Sequence, residues 1–521
     1  MKLTNIDRKT GAAPASVPSR RAFLGQTAAL IASGIAFTTA GPETAHAQDH
    51  ESGSARQRDG QKREKQAYQI RVQAAQRERD RGVPDHTTNG DEQLYPNKIA
   101  SFSKGLPHNG LGEVDLAAFA TLIQAVTSGD PADFENIATA TRTDTGKLTD
   151  PQAGLAFEMV GADSHALFQK AAPAFSSAEE AAEIAENYWM ALTRDVPFGE
   201  YDENPLTISA VGDLSRFSGF TGPKAGQAVT TGTLFRGLTA GDLVGPYISQ
   251  FMLLDTTFGA ERVDRRIHTT LPNVDYMTGY DDWLAVQKGS VAGQDQYDPT
   301  HRYIRSGRDL AAWVHVDVLY QAYFNAMLIL LGLGAPFDAN NPYNTSQTQK
   351  GFGTFGPPYI ASVLCQIAKP ALKAVWYQKW FVHRRLRPEA FAGRVHNHVT
   401  KTANYPINAE IFNAQALTEV FSRYGTYLLP MAFPEGSPTH PSYGAGHATV
   451  AGACVTILKA FFDESHVIPN PVQASPDGLL IRINNQSNYV FAYVPGPADK
   501  WTFDPLTDVY IKSPAEKTFH R

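Results

Sequence analysis

Apolar residues at helical spacing recur along this chain, and the pattern restricts it to a mainly helical fold. Residues 309–331 form the longest example, with bulky apolar side chains at the i, i+3 and i+4 positions of a core helix. Residues 177–194 form another, opened by Ser177 and by Glu180 three residues later, the signature of an N-terminal capping box. Further helices are predicted at 114–125, 359–368 and 371–386, the last two separated by Pro370, and the best strand signal is at 489–494. The sequence therefore predicts an all-α protein built from one or more helical bundles.

Composition indicates how the helices are joined. The 521 residues include 33 Pro, 42 Gly, 28 Phe, 21 Tyr and 6 Trp. Proline and glycine interrupt helices, and aromatic side chains bury large areas, so the connections are predicted to be long ordered loops. The net charge of −6 excludes a basic nucleic-acid binder. Cys365 and Cys454 cannot form a disulfide framework and are predicted to be small buried residues.

Residues 1–47 have the pattern of an export signal. The pair Arg20-Arg21 precedes an apolar run at residues 23–40, and an Ala-x-Ala cleavage site ends at Ala47. The run is too short and its side chains are too small for a membrane span. We therefore expect a twin-arginine signal peptide that sends the folded chain to the periplasm or beyond. Residues 48–92, which follow, are expected to form an exposed charged arm or helix.

Residues 379–389, KWFVHRRLRPE, combine basic side chains with bulky apolar ones. The apolar residues imply partial burial, where an unpaired cation is costly and needs an anion. Lys379 and Arg387 are eight residues apart, too far to share one small anion on a straight helix. Because Pro388 biases Arg387 away from the helical region, the helix is predicted to end there and Arg387 to fold back toward Lys379. The two long cations would then converge on one oxyanion.

Residues 435–449, EGSPTHPSYGAGHAT, lead into an apolar helix that is predicted to run to residue 462. Gly444 and Gly446 lie at its start, where free backbone N–H groups and the positive end of the helix dipole form an anion site. His447 adds a group that titrates near neutrality, and His440 lies seven residues earlier. On its own, a histidine at a helix start is more simply explained by a structural role. Together with the basic segment, it indicates a catalytic oxyanion site.

Both segments resemble the first two signature motifs of the vanadium-dependent haloperoxidases, specifically the bromoperoxidase branch. Four other segments resemble the same branch, so the similarity extends from about residue 89 to about residue 475: NGDEQLYP, ASFSKGLPHN, RDVPFGEYDENP and RYIRSGRDLAAWVHVD. The resemblance implies an α-helical domain over residues 93–478 that assembles into a homo-oligomer. This family is related to the acid phosphatases and the type 2 phosphatidic acid phosphatases.

The resemblance also implies a role for each site residue. Lys379 and Arg387 would bind the oxygens of vanadate, and Gly446 would donate its backbone N–H. His447 would exchange a proton with hydrogen peroxide, and His440 would tune halide or peroxide handling. The implied reaction is oxidation of bromide or iodide by hydrogen peroxide to hypohalous acid, which halogenates an organic acceptor. Vanadium would act as a Lewis acid and keep its oxidation state.

The chain departs from the family pattern at two places. Ala445 replaces the serine before the Gly-His pair, which removes a hydroxyl contact and predicts weaker vanadate affinity. The third motif, an Arg six residues before the His that bonds vanadium, is not found after His447. His520 is the remaining candidate for this metal ligand, which is otherwise unknown. Residues 479–521 no longer resemble the branch and are expected to form an atypical tail, altered or truncated.

Two other functions remain open. An exported acid phosphatase would share the anion pocket, but its histidine nucleophile would come from the same missing motif. A catalytically impaired scaffold would keep the fold without retaining vanadate. Phosphatase turnover without vanadate would indicate the first, and failure to bind vanadate would indicate the second. Structural calcium or magnesium also remains open, although no loop has EF-hand spacing.

Overall fold

The computed structural model describes residues 50–238, 242, 243, 245–483, 501–504 and 509–512. The chain divides into two compact units, residues 1–69 and residues 70–521. The described residues of the first unit belong to helix α1 (His50–Arg81), which is polar and mostly exposed from residue 57 onward. The predicted signal peptide, the predicted strand at 489–494 and His520 lie outside the described residues.

The second unit is mainly helical, which confirms the predicted fold class. Its further helices are α2 (Asp91–Leu94), α3 (Leu116–Ser128), α4 (Pro131–Glu135), α5 (Ala178–Leu192), α6 (Pro205–Leu214), α7 (Gln250–Leu253), α8 (Tyr280–Gln287), α9 (Gly307–Val316), α10 (Gln321–Gly332), α11 (Pro357–Tyr377), α12 (Pro388–Val399), α13 (Gln415–Tyr424) and α14 (Gly446–Phe461). Short 3₁₀ segments lie at Asp144–Gly146, Ala153–Leu155, Ser164–Ala166, Phe198–Glu200 and Ala409–Asn413, and a π-helical turn lies at Gln378–His383.

Strands are few, as the sequence predicted. In the part of the chain that the structure describes, they form only two-stranded antiparallel hairpins. These are β1 (Thr256–Phe258) with β2 (Glu261–Val263), β3 (Val472–Ala474) with β4 (Leu480–Arg482), and β5 (Trp501–Asp504) with β6 (Val509–Lys512). The core of the described residues is therefore formed by packed helices and not by a sheet.

Helix α5 packs against α6, α12 and α13 in one apolar cluster. Its start is as predicted, because the Ser177 hydroxyl accepts a hydrogen bond from the Glu180 N–H at 3.0 Å. The fully buried Trp189 on α5 donates its indole N–H to Asp213 Oδ2 at 2.8 Å. The same oxygen accepts from the Ala416 N–H at 3.0 Å, so one buried carboxylate ties α5, α6 and α13 together. This cluster supports helix α12, whose first turn reaches the candidate site.

Helices α11 and α14 pack against each other in a second apolar cluster, which also includes α10. Leu364 on α11 and Val450 on α14 are fully buried there. Both cysteines are free thiols; Cys454 is buried, as predicted, whereas Cys365 is only half-buried. The packing places Gly446, at the start of α14, against Trp376 near the end of α11.

The single helix predicted over residues 309–331 is wrong. The structure has two helices there, α9 and α10, bent by 103°. Asp317, at the break, has an extended backbone (φ −67°, ψ 153°), and its carboxylate accepts a hydrogen bond from His447 on α14. Periodicity alone would continue the helix through this break. Among the described helices, none is by itself long and apolar enough to cross a membrane, and α9 with α10 passes that test only as this bent pair.

The predicted helix boundary at Pro370 is also wrong. Helix α11 continues through Pro370 to Tyr377 and is followed directly by the π turn. The turn ends at Arg384, whose backbone is left-handed (φ 38°, ψ 41°). The Arg384 guanidinium donates to both carboxylate oxygens of Glu92, at 2.7 and 2.8 Å, which fixes this end. Helical structure therefore stops at His383, before the predicted end at residue 386, and Lys379 lies within the π turn.

Candidate active site

Two chain segments bring the predicted cations to one loop. Lys379 is carried by the π turn after α11, and Arg387 lies directly before the first turn of α12. Arg387 has an extended backbone (φ −78°, ψ 150°), and Pro388 occupies the first helical position, the arrangement that the sequence predicts. Both cations donate hydrogen bonds to carbonyl oxygens of residues 440–442.

Lys379 is a buried cation without an anionic partner. It is 1% exposed, and its Nζ donates to the Pro441 carbonyl at 2.7 Å and to the Ser442 carbonyl at 3.4 Å. Nζ also lies 5.6 Å from the centroid of the Trp376 ring. Burial, reinforced by the positive charge of Arg387, lowers the pKa of Lys379 to about 7. A bound anion would stabilise the charged form of Lys379 and so offset this shift.

Arg387 is held by neutral acceptors. Its Nε donates to Ser437 Oγ at 2.9 Å, and its Nη1 donates to the His440 carbonyl at 3.2 Å. Burial lowers the pKa of Arg387, and the nearby Glu389 opposes that shift. Among the described residues, neither Arg387 nor Lys379 forms an ion pair with a carboxylate.

His440 is held neutral beside these cations. Burial, together with the charges of Arg387 and Lys379, lowers its pKa to about 3. Its ring packs against Trp376 with centroids 4.8 Å apart. Nδ1 lies 3.0 Å from the Pro441 carbonyl, which can only accept, and 3.5 Å from Arg387 Nη1, which can only donate. The shorter contact favours a hydrogen on Nδ1, which leaves Nε2 as an acceptor.

The start of helix α14 offers uncapped N–H donors. Ala445 precedes the helix with an extended backbone (φ −79°, ψ 121°) and has no side chain able to cap it. A Cβ atom on Gly446 would lie only 3.1 Å from the Trp376 ring, so a glycine suits this close approach. Trp376 thus contacts Lys379, His440 and Gly446. Its apolar spacing on α11 gave no signal in the sequence beyond core packing, so Trp376 was not predicted as a site residue.

His447 lies in the first turn of α14, and its side chain is 47% exposed. Its Nε2 donates to Asp317, at 3.0 Å from Oδ1 and 3.2 Å from Oδ2. The Asp317 side chain is only 6% exposed. The carboxylate therefore fixes the orientation of the His447 ring and places the hydrogen on Nε2. Sequence reasoning missed Asp317, because it lies 130 residues away, within a predicted helix.

A cavity of about 710 Å³ opens at these residues. Arg387, His440, Gly446 and His447 line one part of it, and Lys379 is not in the wall. The rest of the wall is largely apolar and includes Phe198, Tyr247, Leu310, Val314, Leu319 and Phe433. A volume of this size suits a small-molecule site with a few convergent polar groups.

The donor set of the site fits an oxyanion such as vanadate. Two cations without carboxylate ion pairs among the described residues and an uncapped helix start all offer N–H hydrogens. The carboxylate of Glu435 also lines the cavity, where it is paired with His315 at 2.6 Å. A cation-binding site is not found: in the part of the chain that the structure describes, no three His, Cys, Asp or Glu side chains are grouped to hold a metal ion. Residues 513–521, which include His520 and Arg521, are outside the described part, so the predicted vanadium ligand is not located.

No protein-family model matches the chain. The chain is 35% identical to the vanadium-dependent bromoperoxidase of Corallina pilulifera, over 80% of this chain and 85% of that protein. It is 36% identical to the vanadium-dependent bromoperoxidase of Ascophyllum nodosum, over 80% of this chain and 79% of that protein.

A solved structure agrees with the sequence relatives. The second vanadate-dependent bromoperoxidase of Ascophyllum nodosum, a homohexamer, matches with a TM-score of 0.78 and 32% identity, covering 89% of this chain and 79% of that one. The identities exceed 30% over most of both chains, and the fold is shared. The chain therefore belongs to the vanadium-dependent bromoperoxidases.

Proposed function

We propose that this protein is a vanadate-dependent peroxidase that oxidises bromide or iodide with hydrogen peroxide to hypohalous acid, which then halogenates an organic acceptor. The observation that carries the proposal is the meeting of Lys379, Arg387 and the start of α14 around one loop, with neither cation paired to a carboxylate among the described residues. Membership of the bromoperoxidase family supports the halide and peroxide chemistry.

Each site residue has a role that its contacts support. Lys379 and Arg387 would hold the oxygens of an oxyanion, and the Gly446 N–H would be a further donor to it. His447, oriented by Asp317, exchanges a proton with peroxide at its exposed imidazole. Neutral His440 offers Nε2 as an acceptor next to the two cations. Bound vanadate supplies a Lewis-acid centre that activates peroxide without a change in its oxidation state.

The vanadium-bonding histidine stays a prediction. His520 remains its candidate, although position 514, six residues before it, is a proline and not the arginine of the family pattern. Ala445 offers no hydroxyl, so the site binds vanadate with fewer contacts than a serine would give. Retention of vanadate therefore depends more on Lys379 and Arg387 in this chain.

Further parts of the proposal concern the whole protein. The pair Arg20-Arg21 supports export by the twin-arginine route to the periplasm, with the catalytic domain over residues 93–478. The homohexameric relative supports a homo-oligomer. A structural calcium or magnesium ion is also part of the proposal, and metal analysis of the purified oligomer tests for it.

The test is bromination of a phenolic dye by the purified chain, with bromide and hydrogen peroxide, before and after addition of orthovanadate. Lys379→Met removes a site cation, and Lys369→Met is its matched control on helix α11, which directly precedes the π turn. Lys369 is 65% exposed and shares Glu158 with Lys373, so its loss leaves Glu158 paired. We expect vanadate-dependent turnover in the wild type and the control, and its loss in Lys379→Met.

Two results would replace the proposal. Hydrolysis of a phosphomonoester without vanadate, and no bromination with it, would identify an acid phosphatase. No bound vanadium by elemental analysis and no turnover of either kind would identify an impaired scaffold.

A further inference from the structure

Lys104, Glu389 and Ser437 form a buried polar cluster beside Arg387. These residues are 3%, 1% and 7% exposed, respectively. They come from the loop before α3, the first turn of α12 and the loop of residues 435–445. The proposed reaction gives none of them a role, so their burial needs a separate explanation.

Lys104 uses all three of its ammonium hydrogens inside this cluster. Its Nζ donates to the Glu435 carbonyl at 2.7 Å, to the Ser437 carbonyl at 2.6 Å and to Glu389 Oε1 at 3.2 Å. Gly436 has a left-handed backbone (φ 74°), and a Cβ there would lie 2.5 Å from the sulfur of Met277. The glycine therefore lets the loop wrap around Lys104, which fixes the position of Ser437.

The hydrogen bonds from Arg387 to Glu389 can run in only one direction. Arg387 Nε carries a hydrogen and has no lone pair, so it donates to Ser437 Oγ at 2.9 Å. The single hydroxyl hydrogen of Ser437 is then donated to Glu389 Oε1. Burial alone would raise the pKa of Glu389, but the charges of Lys104 and Arg387 keep it lowered, so the carboxylate stays an acceptor.

This arrangement leaves one edge of the guanidinium free. Nε is used by Ser437 and Nη1 by the His440 carbonyl, while Nη2 has no acceptor among the described residues. Arg387 lines the cavity, and Nη2 is the guanidinium nitrogen that has no protein acceptor among the described residues to compete with a ligand there. We infer that Lys104, Glu389 and Ser437 are positioning residues that fix the guanidinium of Arg387 for oxyanion binding. The inference rests on the proposed function of the same site.

Ser437→Ala tests the central link with little change in volume. It frees Arg387 Nε but leaves the buried Lys104–Glu389 ion pair intact. The first measurement is the rate at which phenylglyoxal modifies Arg387, followed by peptide mapping, with the exposed Arg266 as internal reference. We expect about tenfold faster modification, as for loss of one hydrogen bond to a charged group. This readout does not require vanadate.

The second measurement is the dissociation constant of orthovanadate by calorimetry. We expect about tenfold weaker binding in Ser437→Ala and recovery in Ser437→Thr, which restores the hydroxyl. The control is Ser164→Ala, at another buried serine whose hydroxyl donates to the Gly154 carbonyl at 2.5 Å. A merely structural role would lower the melting temperature of both alanine variants without changing orthovanadate binding.

The ion pair is tested by removing both charges together in Lys104→Met/Glu389→Leu. If the three residues act as one unit, adding Ser437→Ala to this variant changes Arg387 modification and orthovanadate binding no further. Should the charge-free variant fail to fold, the Ser437 variants still decide the inference.

The outcomes separate the inference from the proposed function. Unchanged Arg387 modification in Ser437→Ala, or additive effects in the combined variant, would overturn the positioning role. A wild-type chain that binds no orthovanadate would overturn the proposed function, while the modification rates would still report on the positioning of Arg387.

Discussion

Lys379 makes anion binding sensitive to pH. Burial and the charge of Arg387 lower its pKa to about 7, so the free site loses this charge as pH rises above neutrality. The unfolded chain keeps the ordinary lysine pKa of about 10.4 and binds more protons between the two values. Folding stability from this group is therefore lowest below pH 7 and rises between about pH 7 and pH 10.

Sulfate affinity reports on this charge, because the charge of sulfate itself is constant from pH 6 to pH 9. We expect binding to weaken by up to about 100-fold between pH 7 and pH 9, tenfold for each unit above the pKa of Lys379. Lys379→Arg stays protonated over that range and should give a flat profile. Calorimetric titrations at each pH provide the measurement, and a flat wild-type profile would contradict the assigned pKa.

Ala445 is the residue whose replacement should improve the site. Ala445→Ser adds an N-cap hydroxyl at the start of α14, worth about 0.5–2 kcal/mol in the free energy of unfolding. The same hydroxyl can bind an oxyanion oxygen, so orthovanadate should bind up to about tenfold more tightly. Urea denaturation and calorimetry measure the two effects.

Ala414→Ser is the matched control, because Ala414 also precedes a helix with an extended backbone and no capping side chain. It should change stability without changing orthovanadate affinity. Equal affinity changes in both variants would show that the gain at Ala445 comes from general stabilisation.

The break between helices α9 and α10 positions a side chain that contacts the candidate site. It places the buried carboxylate of Asp317 directly after α9, where it accepts a hydrogen bond from His447. Asp317→Asn keeps the shape but offers an amide in place of the carboxylate, so the ring of His447 loses its fixed orientation. We expect kcat for bromination to fall about 10–100-fold with vanadium content unchanged.

Asp264→Asn is the control for this change, because Asp264 forms an exposed ion pair with Arg266. It should leave kcat unchanged. If Asp317→Asn also kept full activity, the pair with Asp317 would have no part in the function of His447.

Local signals in the sequence predicted the parts of the fold that depend on neighbours in the chain. The Ser177 cap, the extended Arg387 before Pro388 and the start of α14 near Gly446 are all set within a few residues. The failures depend on distant contacts. Asp317, directly after α9, pairs with a residue 130 positions away, and Pro370 lies inside α11, which packs against α14.

The residues of the candidate site fall into the same two groups, those with a local sequence signal and those without one. The basic and Gly-His segments indicated Lys379, Arg387, His440, Gly446 and His447, because charged residues among apolar ones and a glycine-rich helix start are local patterns. The supporting residues gave no such signal. Lys104 meets Glu389 across 285 residues, and Trp376 has the spacing of an ordinary core residue.

One bound ligand should stabilise, across the whole molecule, several segments that are distant in sequence. Orthovanadate at 100 times its dissociation constant stabilises a folded protein by about 2.7 kcal/mol. Amides that exchange only through openings that release the ligand should then exchange about 100-fold more slowly. We expect this protection in the π turn Gln378–His383, in residues 437–442 and in the first turn of α14, because these carry the donor groups.

Hydrogen exchange read by mass spectrometry, with and without orthovanadate, measures this directly. The β1–β2 hairpin has no group in the site and should exchange equally in both states. Lys379→Met should remove the protection from all three segments together, because each depends on the same bound oxyanion. Protection confined to one segment would mean that the cations and the helix start bind separate ions, and that the shared site does not form.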